Sequence, residues 1–290
     1  MSIMEQNNDY AWALSEFLDQ RPRFITAEMI HEADPEDRLP KEMVWTALAA
    51  DALKLSDFAI NEYLRPGVRL LSAGDFLSNP YISGIDFPER YNNGWRLTHL
   101  RYSPYEAFLR DDIKFTASLR EIPQIGFFDR LVSYPAVLQD GREWMAVKPS
   151  EIASMKKAIE GVRGDVLVFG LGLGYFPFMV SARPEVRSVT IVELDPDVIK
   201  LFKSYLLPQF PHSEKIEIVC QDAFVFMEEL SREGARHFDS AFVDIWHDAQ
   251  DGPERYLKAR TLMSALGIET WYWAENSMIS ALRWKAGHEG

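Results

Sequence analysis

Three glycines, spaced two residues apart, follow a short apolar run in the second half of the chain. The apolar run is Val166–Phe169, and the glycines are Gly170, Gly172 and Gly174. A short continuous apolar run predicts a buried strand of a parallel sheet. Glycines directly after such a strand let the backbone turn sharply and let a ligand approach with no Cβ in the way. Because the next helix would direct free N–H groups and its positive dipole end at that ligand, the pattern predicts the floor of a nucleotide-type site.

Acidic residues stand at the ends of the next two predicted strands. Glu193 lies 23 residues after Gly170, close to the spacing of about 20 residues that is typical of a ribose-binding carboxylate. A carboxylate there can accept both hydroxyl protons of a ribose. Asp222 ends the third strand, where it could accept a hydrogen bond from an adenine amino group, with Ala223 beside the ring.

A third acidic residue, Asp244, ends the fourth predicted strand, where a reacting group would lie. We expect Asp244 to orient a nucleophile, and His247 is a candidate base if that nucleophile must lose a proton. Tyr134, Trp144 and Trp246 are candidates for the lining of a substrate pocket, since an aromatic face can hold a cation. Each of these aromatic residues could equally pack in the core, and for Trp144 core packing is the favoured interpretation.

Taken singly, these residues also have purely structural interpretations. Asp195 and Asp222 would serve well as helix N-caps, and Cys220 on a strand is expected to pack in the core. The six histidines and the single cysteine show no spacing typical of metal ligands, so no metal is expected. The order of these residues along the chain is what points to a binding site, because a glycine turn and three acidic residues occur at the ends of four consecutive predicted strands.

The elements that must position these residues alternate between strand and helix from Val166 onward. This alternation predicts a doubly wound, mostly parallel α/β sheet covered by helices on both faces. Ligands of such sheets bind beyond the carboxyl ends of the strands, at the switch point of the strand order. The predicted strands span residues 166–170, 188–193, 215–220, 238–245 and 268–273.

The N-terminal half has a different character. Residues 1–66 are predicted to be helical, and residues 67–148 to be rich in hairpins, with turns at Asn93-Gly94 and Asp140-Gly141. We therefore predict an accessory region over 1–148 and a ligand-binding domain over 149–290. The helical part is expected to be a small bundle, while a lid and a dimerisation element stay open as alternatives.

Composition limits the classes of function. The 290 residues carry a net charge of −13, which argues against nucleic-acid binding and would suit a cationic small molecule. No run approaches the ~18 apolar residues of a membrane span. The first residues lack the pattern of a signal peptide, and a single cysteine fits a reducing compartment. We expect a cytoplasmic protein with no membrane partner; a homodimer is left open.

The glycine turn departs from the dinucleotide fingerprint G-x-G-x-x-G, because its third glycine comes one position early, at Gly174. A strand followed by G-x-G-x-G resembles the class I S-adenosylmethionine (SAM)-dependent methyltransferase superfamily. The resemblance covers residues 149–290 and implies SAM as cofactor, with Glu193 on the ribose and Asp222 near the adenine. The residues implied in cofactor binding are Gly170, Leu171, Gly172, Gly174, Glu193, Leu194, Asp222 and Ala223.

Within that superfamily the layout is most similar to the spermidine synthase-like group. The similar parts are the segments 191–199 and 222–224, and the hairpin and helix that precede the glycines. Two differences separate the chain from polyamine synthases. Leucines stand between the glycines, where those enzymes have an aspartate, and three residues instead of two separate Asp244 from Asp248.

The resemblance therefore favours methyl transfer to a small-molecule acceptor. One alternative is an aminopropyltransferase that uses decarboxylated SAM, and another is a non-catalytic nucleotide-binding or interaction module. The strand pair that closes the sheet of most class I methyltransferases is not evident after residue 273, so either the sheet is shortened or another segment or subunit covers that edge.

Overall fold

The computed structural model describes residues 2–233, 237–246 and 251–288. The chain forms two compact units. Unit 1 comprises Met1–Leu77, Arg101–Ser133 and Leu282–Gly290, and unit 2 comprises Ser78–Leu100 and Tyr134–Ala281. The predicted domain boundary between residues 148 and 149 stays a prediction. Residues 78–100 and 134–148, which lie before this boundary, belong to the same compact unit as residues 149–281.

The regular elements alternate between helix and strand over most of the chain. The helices are α1 (Ile3–Gln20), α2 (Ala27–Ala33), α3 (Lys41–Ala52), α4 (Asp57–Ala59), α5 (Arg65–Gly67), α6 (Ala73–Leu77), α7 (Pro80–Gly84), α8 (Pro149–Gly161), α9 (Tyr175–Ser181), α10 (Pro196–Leu201), α11 (Ala223–Glu233), α12 (Gly252–Leu266) and α13 (Glu275–His288). The strands are β1 (Val68–Leu70), β2 (Arg90–Asn92), β3 (Trp95–Tyr102), β4 (Phe108–Phe115), β5 (Glu121–Phe127), β6 (Val132–Gln139), β7 (Arg142–Ala146), β8 (Gly164–Phe169), β9 (Val186–Glu193), β10 (Ile216–Cys220), β11 (Ser240–Val243) and β12 (Glu269–Tyr272). Single π-helical turns cover Ile60–Leu64 and Phe202–Leu206, and 3₁₀ turns cover Leu207–Gln209 and Ser213–Lys215.

Unit 1 has its own apolar core, which α1 and α3 share with a three-stranded sheet of order β1-β5-β4. The sequence predicts helix α1 because its apolar residues recur on one face, and the Ser2 side chain caps it by accepting from the Glu5 amide. The fully buried Trp45 donates from Nε1 to the Tyr105 carbonyl at 3.0 Å. Its ring stacks on Phe127 at 5.1 Å between centroids. The core of unit 1 is therefore fixed by a few directed contacts as well as by burial.

Unit 2 contains a five-stranded parallel sheet of order β10-β9-β8-β11-β12. Counted along the chain, β8 is the first strand of this sheet, and β9 and β10 follow on one side of it. The fourth and fifth strands, β11 and β12, lie on the other side, so the strand order reverses between β8 and β11. The five strands agree with the predicted ones, and within the described residues only α13 follows β12. The predicted doubly wound α/β fold is confirmed. The register Phe169↔Val243 places the ends of β8 and β11 side by side.

The predicted hairpins also form. Asn93 and Gly94 have φ values of +46° and +85°, and Asp140 and Gly141 have +49° and +84°, the paired positive angles of a two-residue type I′ turn. These hairpins build a second sheet of unit 2, of order β2-β3-β6-β7. Strand β7 leads directly into α8 and the large parallel sheet.

One detail of the sequence prediction was wrong. Cys220 is exposed, because it ends β10, an edge strand of the sheet. In the described part of the chain, no helix is both long and apolar enough to cross a membrane.

Candidate functional site

A cleft of about 700 Å³ opens at the carboxyl ends of the strands of the parallel sheet in unit 2. Its floor is formed where β8 and β11 end, on either side of the reversal in strand order. The backbone joins the two ends, since the Asp244 amide donates to the Phe169 carbonyl at 2.8 Å. Doubly wound sheets bind their ligands at this position.

The glycines of the loop after β8 stand in three different surroundings. A Cβ at Gly170, whose φ is +92°, would lie 1.9 Å from the Asp244 carbonyl oxygen. A Cβ at Gly174 would lie 2.3 Å from the ring of Phe202. A Cβ at Gly172 would meet only the sulfur of Met145, at 3.6 Å. Gly170 and Gly174 are therefore required by packing, whereas Gly172 leaves room on the side of the cleft.

Glu193, at the end of β9, ties the glycine loop to the loop that follows its own strand. Its Oε2 accepts from the Leu171 amide at 2.9 Å, and its Oε1 accepts from the Asp195 amide at 2.9 Å. Each carboxylate oxygen has a second lone pair, so both can still accept a hydrogen bond from the cleft. The two backbone contacts hold this carboxylate in one orientation.

Asp195 and Asp222 are helix caps that also line the cleft. Asp195 Oδ1 accepts from the amides of Asp197 and Val198 at 2.8 and 3.2 Å. Asp222 Oδ1 accepts from the amides of Phe224 and Val225 at 2.8 and 3.0 Å. The structural interpretation of both residues is thus correct. It does not conflict with ligand binding, because each cap uses a single carboxylate oxygen.

Asp244 and Glu151 bring two carboxyl groups to the floor of the cleft. Burial raises the pKa of Asp244 well above its usual value, and the negative charges of Glu151 and Glu193 raise it further. Burial also raises the pKa of Glu151, to about 7; Lys148 opposes this rise and Glu143 adds to it. Both carboxyl groups are therefore more readily protonated than ordinary exposed carboxyl groups.

Glu151 is one of the residues lining the cleft that sequence reasoning missed. It lies in the first turn of α8, after Pro149, where an acidic residue has an ordinary structural explanation as a partner of the helix dipole. Nearby, Lys148 Nζ contacts Glu143 Oε1 at 2.7 Å. The signal that could have found Glu151 is its position between the hairpin and the glycine strand, where α8 must pack beside β8.

The predicted aromatic residues have different positions. Trp144 is 44% exposed and lines the cleft, with its ring edge-on to Trp95 at 5.7 Å; the favoured interpretation of Trp144 as a core residue was wrong, since β7 is the last strand of its sheet. Trp246 is buried, donates from Nε1 to the Trp273 carbonyl at 3.2 Å and lines the cleft. Tyr134 is buried and is not among the described residues that line the cleft.

The structure brings most of the predicted cofactor residues together. Gly174 is the exception: it caps α9 with a φ of +80° and packs against Phe202. His247 lies outside the described residues. Among the residues described, no group of acidic, histidine or cysteine side chains could hold a metal ion. The predicted cofactor residues that line the cleft are Gly170, Leu171, Gly172, Glu193, Leu194, Asp222 and Ala223.

The lining of the cleft is strongly acidic. Of the described residues that line it, seven are acidic and two are basic. A cleft lined by one sign of charge concentrates ligands of the opposite sign. The basic residues are Lys148 and Arg255; the acidic ones are Glu143, Glu151, Glu193, Asp195, Asp222, Asp244 and Asp251.

The fold and the sequence motifs together define the class of protein to which the domain in unit 2 belongs. The parallel sheet with its reversal between β8 and β11, the G-x-G-x-G loop and the acid at the end of β9 are those of a Rossmann-like domain of the class I methyltransferase type. Comparison with known proteins points to one family within this class. Residues 148–262 match the family model of the spermine/spermidine synthase domain. The resemblance to the spermidine synthase-like group is thus confirmed for this part of the chain.

Two kinds of relative share this region. An "eEF1A lysine and N-terminal methyltransferase homolog" from Drosophila pseudoobscura pseudoobscura is 29% identical over 109 residues, which are 37% of this chain and 15% of the relative. A homologue of the same name from Drosophila melanogaster matches equally. A polyamine aminopropyltransferase from Pyrobaculum arsenaticum is 35% identical over 85 residues, 28% of this chain and 29% of the relative. The chain therefore matches less than a third of the length of each relative, and all of them are transferases.

Proposed function

We propose that the chain is a SAM-dependent methyltransferase whose cofactor and acceptor meet in the cleft of unit 2. The observation that carries the proposal is the arrangement of Gly172, Glu193, Asp222 and Asp244 around one cleft at the switch point of the sheet. The cleft fits the cofactor in one testable respect: Gly172 leaves open the space that a Cβ would fill. The location in the cytoplasm and a homodimeric state stay predictions.

Each residue has a defined part in binding. Glu193 would accept from the ribose hydroxyls, held in place by the amides of Leu171 and Asp195. Asp222 would accept from the adenine amino group with the oxygen that its cap leaves unused, beside Ala223. When bound, SAM supplies an electrophilic methyl group on a positively charged sulfur. Asp244 and the aromatic face of Trp144 would orient the acceptor, because positioning supplies most of the rate of such a transfer.

Methyl transfer is favoured over aminopropyl transfer by the glycine loop. Leu171 and Leu173, both buried, occupy the loop positions between the glycines, so this loop offers no carboxylate for the amine of decarboxylated SAM. The names of the relatives support an amine as acceptor, since they refer to lysine, to an N-terminus and to polyamines. A small-molecule amine is our proposal, and the methyltransferase relatives make a protein amine the second candidate.

Isothermal titration with SAM, decarboxylated SAM and NAD tests the proposal. We expect SAM to bind, and decarboxylated SAM and NAD to bind more weakly. Tight binding of decarboxylated SAM without SAM would favour the aminopropyltransferase. Binding of NAD alone would contradict the whole proposal, and the absence of all binding would favour a non-catalytic module.

A substitution at Glu193 tests the proposed ribose contact. Glu193→Gln keeps the size of the side chain but removes its charge and replaces one acceptor by a donor. We expect the free energy of SAM binding to weaken by about 1.5–3 kcal/mol, the usual contribution of a hydrogen bond to a charged group. Glu160→Gln, on the exposed face of α8, is the matched control and should bind SAM like the wild type. Unchanged binding by Glu193→Gln would remove Glu193 from the site.

A further inference from the structure

Tyr81, in α7, contacts the glycine loop, residues 170–174, from a position 92 residues before Leu173. Its hydroxyl donates a hydrogen bond to the carbonyl of Leu173, which lies between Gly172 and Gly174. Tyr81 is fully buried, Leu173 is buried as well, and both residues belong to unit 2. Because a buried carbonyl without a hydrogen bond destabilises the conformation that contains it, the Tyr81 hydroxyl favours the observed form of the loop.

Four aromatic rings hold the ring of Tyr81 in place. Their centroids lie 5.2 to 6.3 Å from its own, and three of the four rings are edge-on, an arrangement that aromatic pairs prefer. Burial raises the pKa of Tyr81 well above its usual value, so the hydroxyl keeps its proton at neutral pH and stays a donor. The four rings are those of Phe87, Tyr175, Phe178 and Phe210.

Asn79 fixes Tyr81 and contacts the residue that follows the glycine loop. Its Oδ1 accepts from the Tyr81 amide at 3.0 Å and so caps α7. Its Nδ2 donates to the hydroxyl of Tyr175, the first residue of α9, at 3.3 Å. The segment around α7 therefore contacts the chain on both sides of Gly174, through Leu173 and through Tyr175.

The beginning of the glycine loop is fixed by β9. The Gly170 amide donates to the Val192 carbonyl at 2.9 Å, and the Leu171 amide donates to Glu193 Oε2 at 2.9 Å. The Gly174 amide donates to the Leu171 carbonyl at 3.0 Å, which closes the loop on itself. Strand β9 therefore holds the first half of the loop, and the second half depends on α7.

The peptide group between Leu173 and Gly174 is thus held from two sides. Its N–H bonds within the loop, and its C=O bonds to Tyr81. Without the hydroxyl this C=O would need another partner, so the loop would populate further conformations. A site that is competent for only a fraction of the time binds its ligand more weakly by that fraction.

We infer that Tyr81 is a positioning residue for the cofactor, and that its hydroxyl holds the glycine loop in the form that binds SAM. This inference rests on the proposed function. Tyr81 is not among the described residues that line the cleft, so it acts through the loop and not by contact with the ligand. Part of the predicted accessory region, 78–100, thereby contributes to the site.

Tyr81→Phe tests the inference, because it keeps the ring and removes only the hydroxyl. We expect the Kd for SAM to rise about tenfold, as for a loop that is competent about one-tenth of the time. The matched control is Tyr256→Phe, at another fully buried tyrosine of unit 2, whose hydroxyl donates to Glu275 Oε1 at 2.7 Å. It loses a comparable hydrogen bond away from the loop and should bind SAM like the wild type. Calorimetric titration is carried out at a temperature at which thermal unfolding shows all three proteins to be folded.

Hydrogen exchange of the ligand-free proteins gives a second readout, which needs no cofactor. In Tyr81→Phe we expect faster exchange in the peptide that covers the glycine loop, where the Gly174 amide is hydrogen-bonded. General destabilisation would increase exchange in the core strands of both variants. A change confined to the loop and to Tyr81→Phe therefore reports positioning and not a loss of overall stability.

The outcomes separate this inference from the proposed function. If the wild type binds SAM and Tyr81→Phe binds it within about twofold of the control, then the loop does not depend on Tyr81 for binding; the inference is wrong and the proposed function stands. Unchanged exchange of the loop in Tyr81→Phe would equally overturn the inference. If the wild type does not bind SAM, the proposed function is wrong and the inference is overturned with it.

Asn79→Ala decides the matter if Tyr81→Phe does not fold. It removes the cap that fixes Tyr81 and the contact with Tyr175 but leaves the Tyr81 hydroxyl in place. We expect a smaller effect in the same direction, with SAM bound about threefold more weakly and faster exchange in the glycine loop. Binding and loop exchange equal to those of the wild type would contradict the inference.

Discussion

At the scale of single residues, the glycines of the loop after β8 serve different purposes. Gly170 makes room for the Asp244 carbonyl and Gly174 for the ring of Phe202. Gly172 alone leaves its space open toward the cleft, with Met145 as its nearest neighbour. The sequence pattern does not distinguish the three positions, yet of the three glycines only Gly172 leaves space in which a ligand could lie.

This difference predicts different results for two alanine substitutions. Gly170→Ala introduces a Cβ 1.9 Å from a backbone oxygen, so we expect a loss of about 3 kcal/mol or more in the free energy of unfolding. Gly172→Ala has room for its methyl group, and its φ of +56° should cost only about 1 kcal/mol. Urea unfolding measures both values.

The same variants separate stability from binding. Gly172→Ala should stay folded and bind SAM at least tenfold more weakly, since its methyl group would occupy space that the glycine leaves open in the cleft. If calorimetry shows that Gly172→Ala binds SAM like the wild type, the loop does not approach the ligand at this position.

The acids at the strand ends could be predicted from the sequence because carboxyl ends of parallel strands meet at one edge. Glu151 could not be predicted in this way, since its place depends on how α8 packs. Trp144 was assigned to the core because large aromatic residues are mostly buried; its exposure follows from the edge position of β7, which no local pattern reveals.

At the scale of elements, Lys215 fastens the connection between α9 and β9. Its Nζ donates to the carbonyls of Ser181, Arg183 and Val186 at 2.9, 3.2 and 2.9 Å. The first two carbonyls lie at the C-terminal end of α9, where a positive charge also offsets the helix dipole. One side chain therefore sets where the helix ends and where the strand begins.

Replacing this lysine should weaken the fold without altering the site. Lys215→Met keeps the length of the side chain but removes its donors, and we expect the free energy of unfolding to fall by about 2–4 kcal/mol because half-buried carbonyls lose their partners. Lys203→Met, at an exposed lysine, is the control. Denaturant unfolding gives the size of the loss; a value within 0.5 kcal/mol of the control, the usual range for surface substitutions, would contradict this role of Lys215.

The first and last residues of the strands were predicted less accurately than the presence of the strands. The fourth strand of the parallel sheet was predicted over 238–245, but β11 covers only Ser240–Val243. At the start of β11, Asp239 Oδ2 accepts from the Asp165 amide at 2.8 Å and contacts Arg187 at 2.7 Å. Such contacts depend on neighbouring strands and cannot be read from one segment.

At the scale of the whole molecule, each unit has its own core, and the described residues of the cleft all belong to unit 2. In unit 1 the buried Asn7 joins three segments of the chain. Its Oδ1 accepts from the Tyr63 hydroxyl at 2.8 Å and from the Glu121 amide at 3.2 Å, and its Nδ2 donates to the Leu119 carbonyl at 3.1 Å. Asn7 thus serves the stability of unit 1.

Asn7→Ala is expected to lower the free energy of unfolding by about 2–4 kcal/mol, because it leaves buried polar groups without partners. The affinity for SAM at a temperature where the variant is folded should equal that of the wild type. Gln20→Ala, at an exposed position of the same helix, is the control for stability. A weaker affinity in Asn7→Ala alone would show that the cleft depends on the core of unit 1.

The division of the chain between its units determines the order in which they can be completed during synthesis. Unit 2 has all of its residues once Ala281 has been made, whereas the last stretch of unit 1 begins at Leu282. In that stretch Arg283 lies 4.6 Å over the ring of Phe115, and its Nη1 is 3.4 Å from Glu121 Oε1. Contacts between residues so distant in sequence form slowly, and domains commonly fold as they are synthesised. Unit 1, which contains the first residues of the chain, can therefore complete its fold only after all strands of the parallel sheet in unit 2 have been synthesised.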